Sequence, residues 1–385
     1  MVLLSAPHAV RTASRRRGGH RVLLAPVTVT PTKPLTPSHL KGLLWTDVLY
    51  RATGVVAEVD YRYSNTVYHR TEQTLGFWEF LDDAVGDTDY SAMTEEQVGE
   101  LYVRYWARGQ RPCAAALRPY GEAVEQGWVH PASARILALW TAHFRRLGLH
   151  DPGLTEHQPA GYTLEEVFDH LGARGLCLDH RGIGGPVYLD LTRAGMPLRQ
   201  IVTADGQPNY LACALRDLLP LAPDYDEVVL IHDRELDLDY RQLAHVLANA
   251  GPVVRRVPIG RVPIEDRVRS ARSGDWRGHT VAALIDELAA AHRPDVFRLG
   301  LRLYFIATLG PGQRQSYRAD LLRKSFRRAE RLVSGAAPTA AARLAERLGC
   351  HRGDHVHVDP YRLTTGLLAR HRHTPATDLL SAVFL

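Results

Sequence analysis

The chain has 385 residues, 45% of them hydrophobic and 23% charged, the balance of a globular protein long enough for a large core or two domains. No apolar run approaches the ~20 residues of a membrane-spanning helix, so no membrane partner is expected. Four scattered cysteines (Cys113, Cys177, Cys213, Cys350) form no CxxC pair, which argues against a disulfide framework or a zinc knuckle and predicts a cytoplasmic setting.

The net charge of +5, from 47 basic and 42 acidic residues, is uneven along the chain. "RRVPIGRVPIEDRVRSARSGDWRGH" is dense enough in arginine to meet the phosphates of a nucleotide or nucleic acid. "RQSYRADLLRKSFRRAERL" keeps its apolar residues on one side and reads as a solvated helix face.

In chain order, residues 1–20 read as a disordered basic arm, because their apolar part precedes the arginines, the reverse of a secretory signal. "RVLLAPVTVT" reads as a strand, followed by a proline loop, a helix over "LKGLLWTDVLYRATG" and a strand in "VAEVDYRYS". Residues 70–150 look helical, including "TEEQVGELYVRYWARG" and "SARILALWTAHFRRLGL". "TLEEVFDHLGARG" is a predicted helix and "GGPVYLDLT" a strand. "NYLACALRDLLPLA" should be helical, "YDEVVLIHD" a buried strand, "YRQLAHVLANAG" a helix closed by Gly251, and "VVRRVPIG" a strand. This alternation predicts an α/β fold with a doubly wound parallel sheet and a helical insertion at about 70–150. "SGAAPTAAA" sets off a short helical segment at 331–385 from a core at 21–330.

A strand that turns into a helix N-terminus at the edge of a parallel sheet is where α/β proteins hold phosphates. Here that turn is "TPTKPLTPSHLKG". Several segments, in order, resemble the catalytic core of class I aminoacyl-tRNA synthetases, and among these the arginyl enzymes. In that family a strand leads into "NPTGPLHVGHLRG"-like sequence whose H-x-G-H signature binds ATP, and "TPTKPLTPSHLKG" lies over it without a gap. "GGPVYLDLTRAGMPLRQIVTADGQPNYLACALRDLL" is similar to the family's strand, "DGTPTYLARDIA" stretch and helix. "YDEVVLIHDRELDLDYRQLAHVLANAG" is similar to its next strand and helix. "VPIGRV" and "VRSARSG" lie where the family has "FGMV" and its K-M-S-K-R-x-G loop. The likeness spans about residues 21–330 and implies a Rossmann-like, HUP-type core that uses ATP and Mg²⁺.

Activating an amino acid is attack of a carboxylate on the α-phosphate of ATP, which requires gathering anionic oxygens and stabilising charge on phosphorus. The resemblance assigns that task to the signature histidines, the loop lysines and the helix dipole. The second signature histidine is His39. The first is Thr36, which can donate a hydrogen bond but carries no charge. The signature glycine is Ser38, after Pro37, and its Cβ narrows the adenine shelf. In the loop, Ser270, Arg272 and Gly274 match, while the lysine is Ala271. Arginyl enzymes that lack that lysine often carry one just before the signature, and Lys33 stands there; the plainer reading of Lys33 is a solvated turn lysine. Lys33, Thr36, His39 and Arg272 are therefore the expected catalytic residues, and Lys33, Ser38, His39, Glu235, Ser270 and Arg272 the nucleotide-binding ones.

On the amino-acid side the resemblance points to Thr30, Ser64, Asn65, Tyr210, Cys213 and Ala214. Tyr210 keeps the family's tyrosine, but the aspartate four residues on is Ala214. A buried guanidinium that loses a carboxylate partner loses several kcal/mol, so a smaller or neutral amino acid fits better than arginine, with Cys213 as pocket lining.

"HDRELDLDY" places Asp233, Glu235, Asp237 and Asp239 at a strand end where ribose or Mg²⁺ could sit, with Glu235 near the family's ribose-binding aspartate. His355 and His357 alternate in the tail and could ligate a metal from one strand face. The loose spacing of Cys350, His351, Asp359, His371 and His373 around them favours surface histidines, and no resident metal is expected. The segment after the linker is short for an anticodon-binding domain. The expected function is that of a stand-alone paralogue that forms an aminoacyl adenylate and passes it to an acceptor that is not a decoded tRNA, such as a small amine, a thiol or a carrier protein. The alternatives are an ATP-free transferase that uses aminoacyl-tRNA, and a tRNA-binding pseudosynthetase.

Overall fold

A computed structural model describes residues 19–268, 271–312, 315–336, 341–369 and 377–385. Most of the predicted basic arm, Ser270, His371 and His373 lie outside the described residues.

The first half runs β1 (Arg21–Pro26), α1 (Pro37–Gly54), β2 (Glu58–Tyr61), α2 (Asn65–His69), α3 (Glu72–Ala84), α4 (Glu95–Ala107), α5 (Ala114–Glu125), α6 (Pro131–Leu147) and α7 (Leu164–Gly172). The second runs β3 (Cys177–Asp179), β4 (Val187–Leu189), β5 (Arg199–Val202), α8 (Tyr210–Leu218), β6 (Glu227–Asp233), α9 (Asp237–Ala248) and β7 (Val253–Ile259). Helices α10 (Val281–Ala291), α11 (Pro294–Arg302), α12 (Ala319–Ser334), α13 (Ala341–Gly349), α14 (Pro360–Leu368) and α15 (Thr377–Leu379), the last continued by a π-helical turn over Leu380–Phe384, complete the described residues.

Strands β2, β1, β6 and β7 form a parallel sheet in that order. Its centre is apolar on both faces, as a parallel sheet between helical layers must be. Along β1, Val22 and Leu24 join one core cluster with α1, the insertion helices and the C-terminal helices. Leu23 and Ala25 join a second cluster with α8 and α9. Strand β6 does the same with Val229 and Ile231 on one side and Val228 and Leu230 on the other. This two-sided burial is the doubly wound arrangement that the alternation of elements predicts.

Two expectations are corrected. Residues Val27–Thr30, read as the end of the first strand, leave the sheet and form loop, because Val27 N makes one last bond to Ile231 O (2.7 Å) and the prolines then turn the chain away. "GGPVYLDLT" supplies β4, which belongs to a separate antiparallel sheet, β3-β4-β5, rather than to the parallel one. Its flanking strands are three and four residues long, too short for alternation to reveal.

The C-terminal helices bury Leu363, Leu367, Val383 and Phe384 in the first cluster. Helix α12 buries Leu322, Phe326, Ala329 and Leu332 and turns Arg323, Arg327 and Arg331 outward, as the one-sided pattern predicts; Arg328 donates to Leu367 O and Ala369 O.

Candidate functional site

The carboxyl ends of β1 and β6 diverge into the β1–α1 loop and the turn after β6, and between them opens a cleft of about 620 Å³. This is the crevice at which a doubly wound sheet takes ligands. Its walls include Thr30, Lys33, Thr36, Ser38 and His39 from the first loop and helix start, Asp233 at the end of β6 and Glu235 just after it, Arg261 after β7, and Arg272, Asp275 and Trp276 from the following loop.

The β1–α1 loop is tied to the insertion and to α10. Ser133 Oγ donates to Pro31 O (2.8 Å) and itself accepts from Trp78 Nε1 (2.8 Å). Leu35 N donates to the buried carboxylate of Glu95 (3.1 Å), and Leu35 O accepts from Val281 N (2.8 Å). Thr36 caps α1, with Pro37 as its first residue, so the positive end of the helix dipole faces the cleft.

Thr36 N donates to His39 Nδ1 at 3.0 Å. Since Nδ1 accepts, the neutral ring carries its proton on Nε2 and can donate it. Burial, with Lys33 and Arg261 nearby, brings the His39 pKa down to about 3, so the ring stays neutral at physiological pH.

Lys33 Nζ donates to Thr30 Oγ1 at 3.4 Å. Among the described residues it meets no carboxylate within ion-pair distance. Burial, with the guanidinium groups of Arg272 and Arg261, lowers its pKa to about 8. Asp233 opposes that shift without reversing it, so Lys33 is a desolvated cation in a net positive setting, which an incoming anion relieves. Thr30 Oγ1 also accepts from Gln73 Nε2 at 3.0 Å.

The acids at the strand ends are engaged by arginines. Arg261 reaches Asp233 (3.4 Å) and Glu235 (2.8 Å), and Arg199 meets Asp239 at 2.9 Å. Ser38 Oγ accepts from Val262 N at 3.0 Å, which ties the start of α1 to the turn after β7.

The structure thus gathers Thr30, Lys33, Thr36, Ser38, His39, Tyr210, Glu235 and Arg272 around one cleft. Tyr210 Oη donates to Thr28 O and its ring lies 4.6 Å from that of Tyr68. Four expected pocket residues stand elsewhere. Ser64 caps α2 and donates to Gln158 O (2.5 Å). Asn65 Nδ2 donates to Leu154 O (2.9 Å). Cys213 and Ala214 are buried in the second core cluster, and neither lines the cleft.

Sequence reasoning missed Tyr63, Gln73, Tyr102, Arg199 and Arg261, all of which line the cleft. Arg261 follows the predicted strand end in "VPIGRV" and could have been read from that place; the others are brought in by the packing of distant elements.

Away from the cleft, ligand atoms of Glu227, His355 and His357 lie within 4.8 Å of one another. Glu227 accepts from His357 N and Val356 N, both at 3.1 Å, and lies 2.7 Å from His357 Nδ1 and 3.7 Å from Arg255. A carboxylate so filled, beside a guanidinium, is a clasp that fastens the C-terminal segment to β6.

No family model matches the chain, and no curated protein matches it in sequence. Solved structures do match its fold. The Thermus thermophilus arginyl-tRNA synthetase aligns over 96% of this chain and 80% of its own, at 15% identity and a TM-score of 0.60. A Mycobacterium tuberculosis methionyl-tRNA synthetase in complex with methionyl-adenylate aligns over 94% and 82%, at 12% identity and a TM-score of 0.51. The Plasmodium falciparum arginyl-tRNA synthetase covers 85% of this chain and is itself covered over 55%, at 12% identity and a TM-score of 0.51. At such identities the likeness is one of architecture, and the chain has the Rossmann-like α/β fold of the class I aminoacyl-tRNA synthetases.

Proposed function

We propose that this protein activates an amino acid with ATP as its aminoacyl adenylate and passes the aminoacyl group to an acceptor other than a decoded tRNA, such as a small amine, a thiol or a carrier protein. The observation that carries the reading is the Lys33 ammonium, without a carboxylate partner among the described residues, set in the cleft beside Arg261 and Arg272 at the N-terminus of α1. Those cations and the helix dipole suit a triphosphate. The neutral His39 offers an Nε2–H to charge growing on the α-phosphate. Tyr210 and Gln73 are left to orient the amino acid.

Mg²⁺ would travel with the triphosphate rather than occupy a protein cage, since Asp233, Glu235 and Asp239 are already paired with arginines and the ion commonly binds through substrate phosphates.

A second reading has one observation in its favour. Ser38 puts a side chain on the expected adenine shelf and occupies the Val262 N–H, which suits a transferase that takes a ready-made aminoacyl-tRNA and needs no ATP. Amino-acid-dependent exchange of pyrophosphate into ATP, run across the common amino acids, separates the two. Exchange with one amino acid supports the ligase. No exchange together with consumption of charged tRNA supports the transferase.

A further inference from the structure

Glu95, Gly99, Tyr102 and Trp106 follow one another on α4 at i, i+4, i+7 and i+11, a single face of the helix. Each touches one of the two loops that wall the cleft, both of which come from elsewhere in the chain. Glu95 accepts from Leu35 N at 3.1 Å and from Trp140 Nε1 at 3.3 Å, and pairs with His143. Gly99 lies against Pro34 and Trp276; a Cβ there would stand 2.6 Å from Pro34 Cδ and 2.8 Å from Trp276 Cζ2. The Tyr102 ring centroid is 5.3 Å from Lys33 Nζ, and that of Trp106 is 4.0 Å from Arg272 Cζ. Beside this face, Glu100 takes Arg277 in a two-pronged pair at 2.6 Å.

The β1–α1 loop and the 271–278 loop are more than two hundred residues apart in the chain, yet both rest on this face. We propose that it positions the phosphate-binding cations, Tyr102 fixing Lys33 and Trp106 fixing Arg272, so that both stand ready before a triphosphate arrives. The inference rests on reading the cleft as a triphosphate seat.

The chemistry of the support matters. A carboxylate would hold an ammonium equally well but would cancel its charge. An aromatic face attracts a cation through its quadrupole and leaves the charge to act on an anion. Lys33 sits over such a face and meets no carboxylate within ion-pair distance among the described residues. Preorganised charge avoids reorganisation at the moment of reaction. Gly99 fits the same role, since any side chain at this point would push the two loops apart.

The test is calorimetric titration of the full chain with ATP and, separately, with inorganic tripolyphosphate, each variant first checked by circular dichroism. Trp106→Leu should weaken both ligands about tenfold, Trp106→Phe should recover most of the loss, and Gly99→Ala should weaken both. If Trp106 acts through Arg272, adding Trp106→Leu to Arg272→Ala should cost little more than Arg272→Ala alone. Wild-type affinity in both Trp106→Leu and Gly99→Ala, or a fully additive loss in the double variant, would overturn the role of α4. In that case a loss in Lys33→Ala would leave the triphosphate seat standing. A wild-type protein that binds neither anion would overturn the seat itself, and the role of α4 with it.

Discussion

Ser38 Oγ accepts a hydrogen bond from Val262 N at 3.0 Å, joining residue 38 at the start of α1 to the turn after β7. Both residues line the cleft, and under the proposed function this bond closes part of the surface on which the base would lie. Replacing Ser38 with glycine removes the Cβ and frees the Val262 N–H. For a nucleotide-binding cleft, Ser38→Gly should tighten ATP several-fold and leave tripolyphosphate unchanged, as read by calorimetry. Glycine in a helix costs about 0.5–1 kcal/mol, so a small fall in Tm should accompany the gain.

The two polar residues of the β1–α1 turn should differ in weight. Lys33 brings charge, and Lys33→Ala should reduce pyrophosphate exchange by about two to three orders of magnitude. Thr36 is the N-cap residue of α1, and its Oγ1 lies 3.2 Å from His39 Nδ1. Thr36→Ala keeps the backbone bond to His39 and removes only the hydroxyl contact, so it should cost about tenfold in exchange. Equal, small losses from both would count against the proposed function.

The lowered pKa of Lys33, about 8, gives a pH signature. Only the ammonium form attracts a triphosphate, so the free protein loses binding strength as pH rises through that value. Affinity should fall toward tenfold per pH unit above about pH 8. His39, at about 3, should add no inflection near neutrality. Lys33→Arg should flatten the profile, which titration calorimetry across a buffer series reads directly.

Arg302, fully buried, donates to Asp47 Oδ2 at 2.6 Å and to Leu147 O and Gly148 O, both at 3.1 Å. Asp47 Oδ1 accepts from Arg51 Nε (3.0 Å) and His150 N (2.8 Å). The cluster joins α1, the end of α6 and α11. Asp47→Ala leaves the guanidinium buried and unpaired, and should cost about 3–5 kcal/mol in urea unfolding.

Alternating apolar segments in the sequence determined the parallel sheet and its two helical layers, because burial on both faces writes an unbroken apolar run such as that of β6. The turn "TPTKPLTPSHLKG" likewise marked one wall of the cleft, since a strand end, a cap and a helix start are local features. Which side of α8 would face that cleft was not local: the rotation of the helix against the sheet put Cys213 and Ala214 in the core and left Tyr210 at the wall. The antiparallel sheet β3-β4-β5 escaped notice because short strands carry too few residues to show a period. Tyr102 and Trp106 could be read only as helix residues, since nothing in α4 names the loops that come to rest on it. Tertiary packing decided that meeting, by folding Lys33 and Arg272 from distant parts of the chain onto one aromatic face.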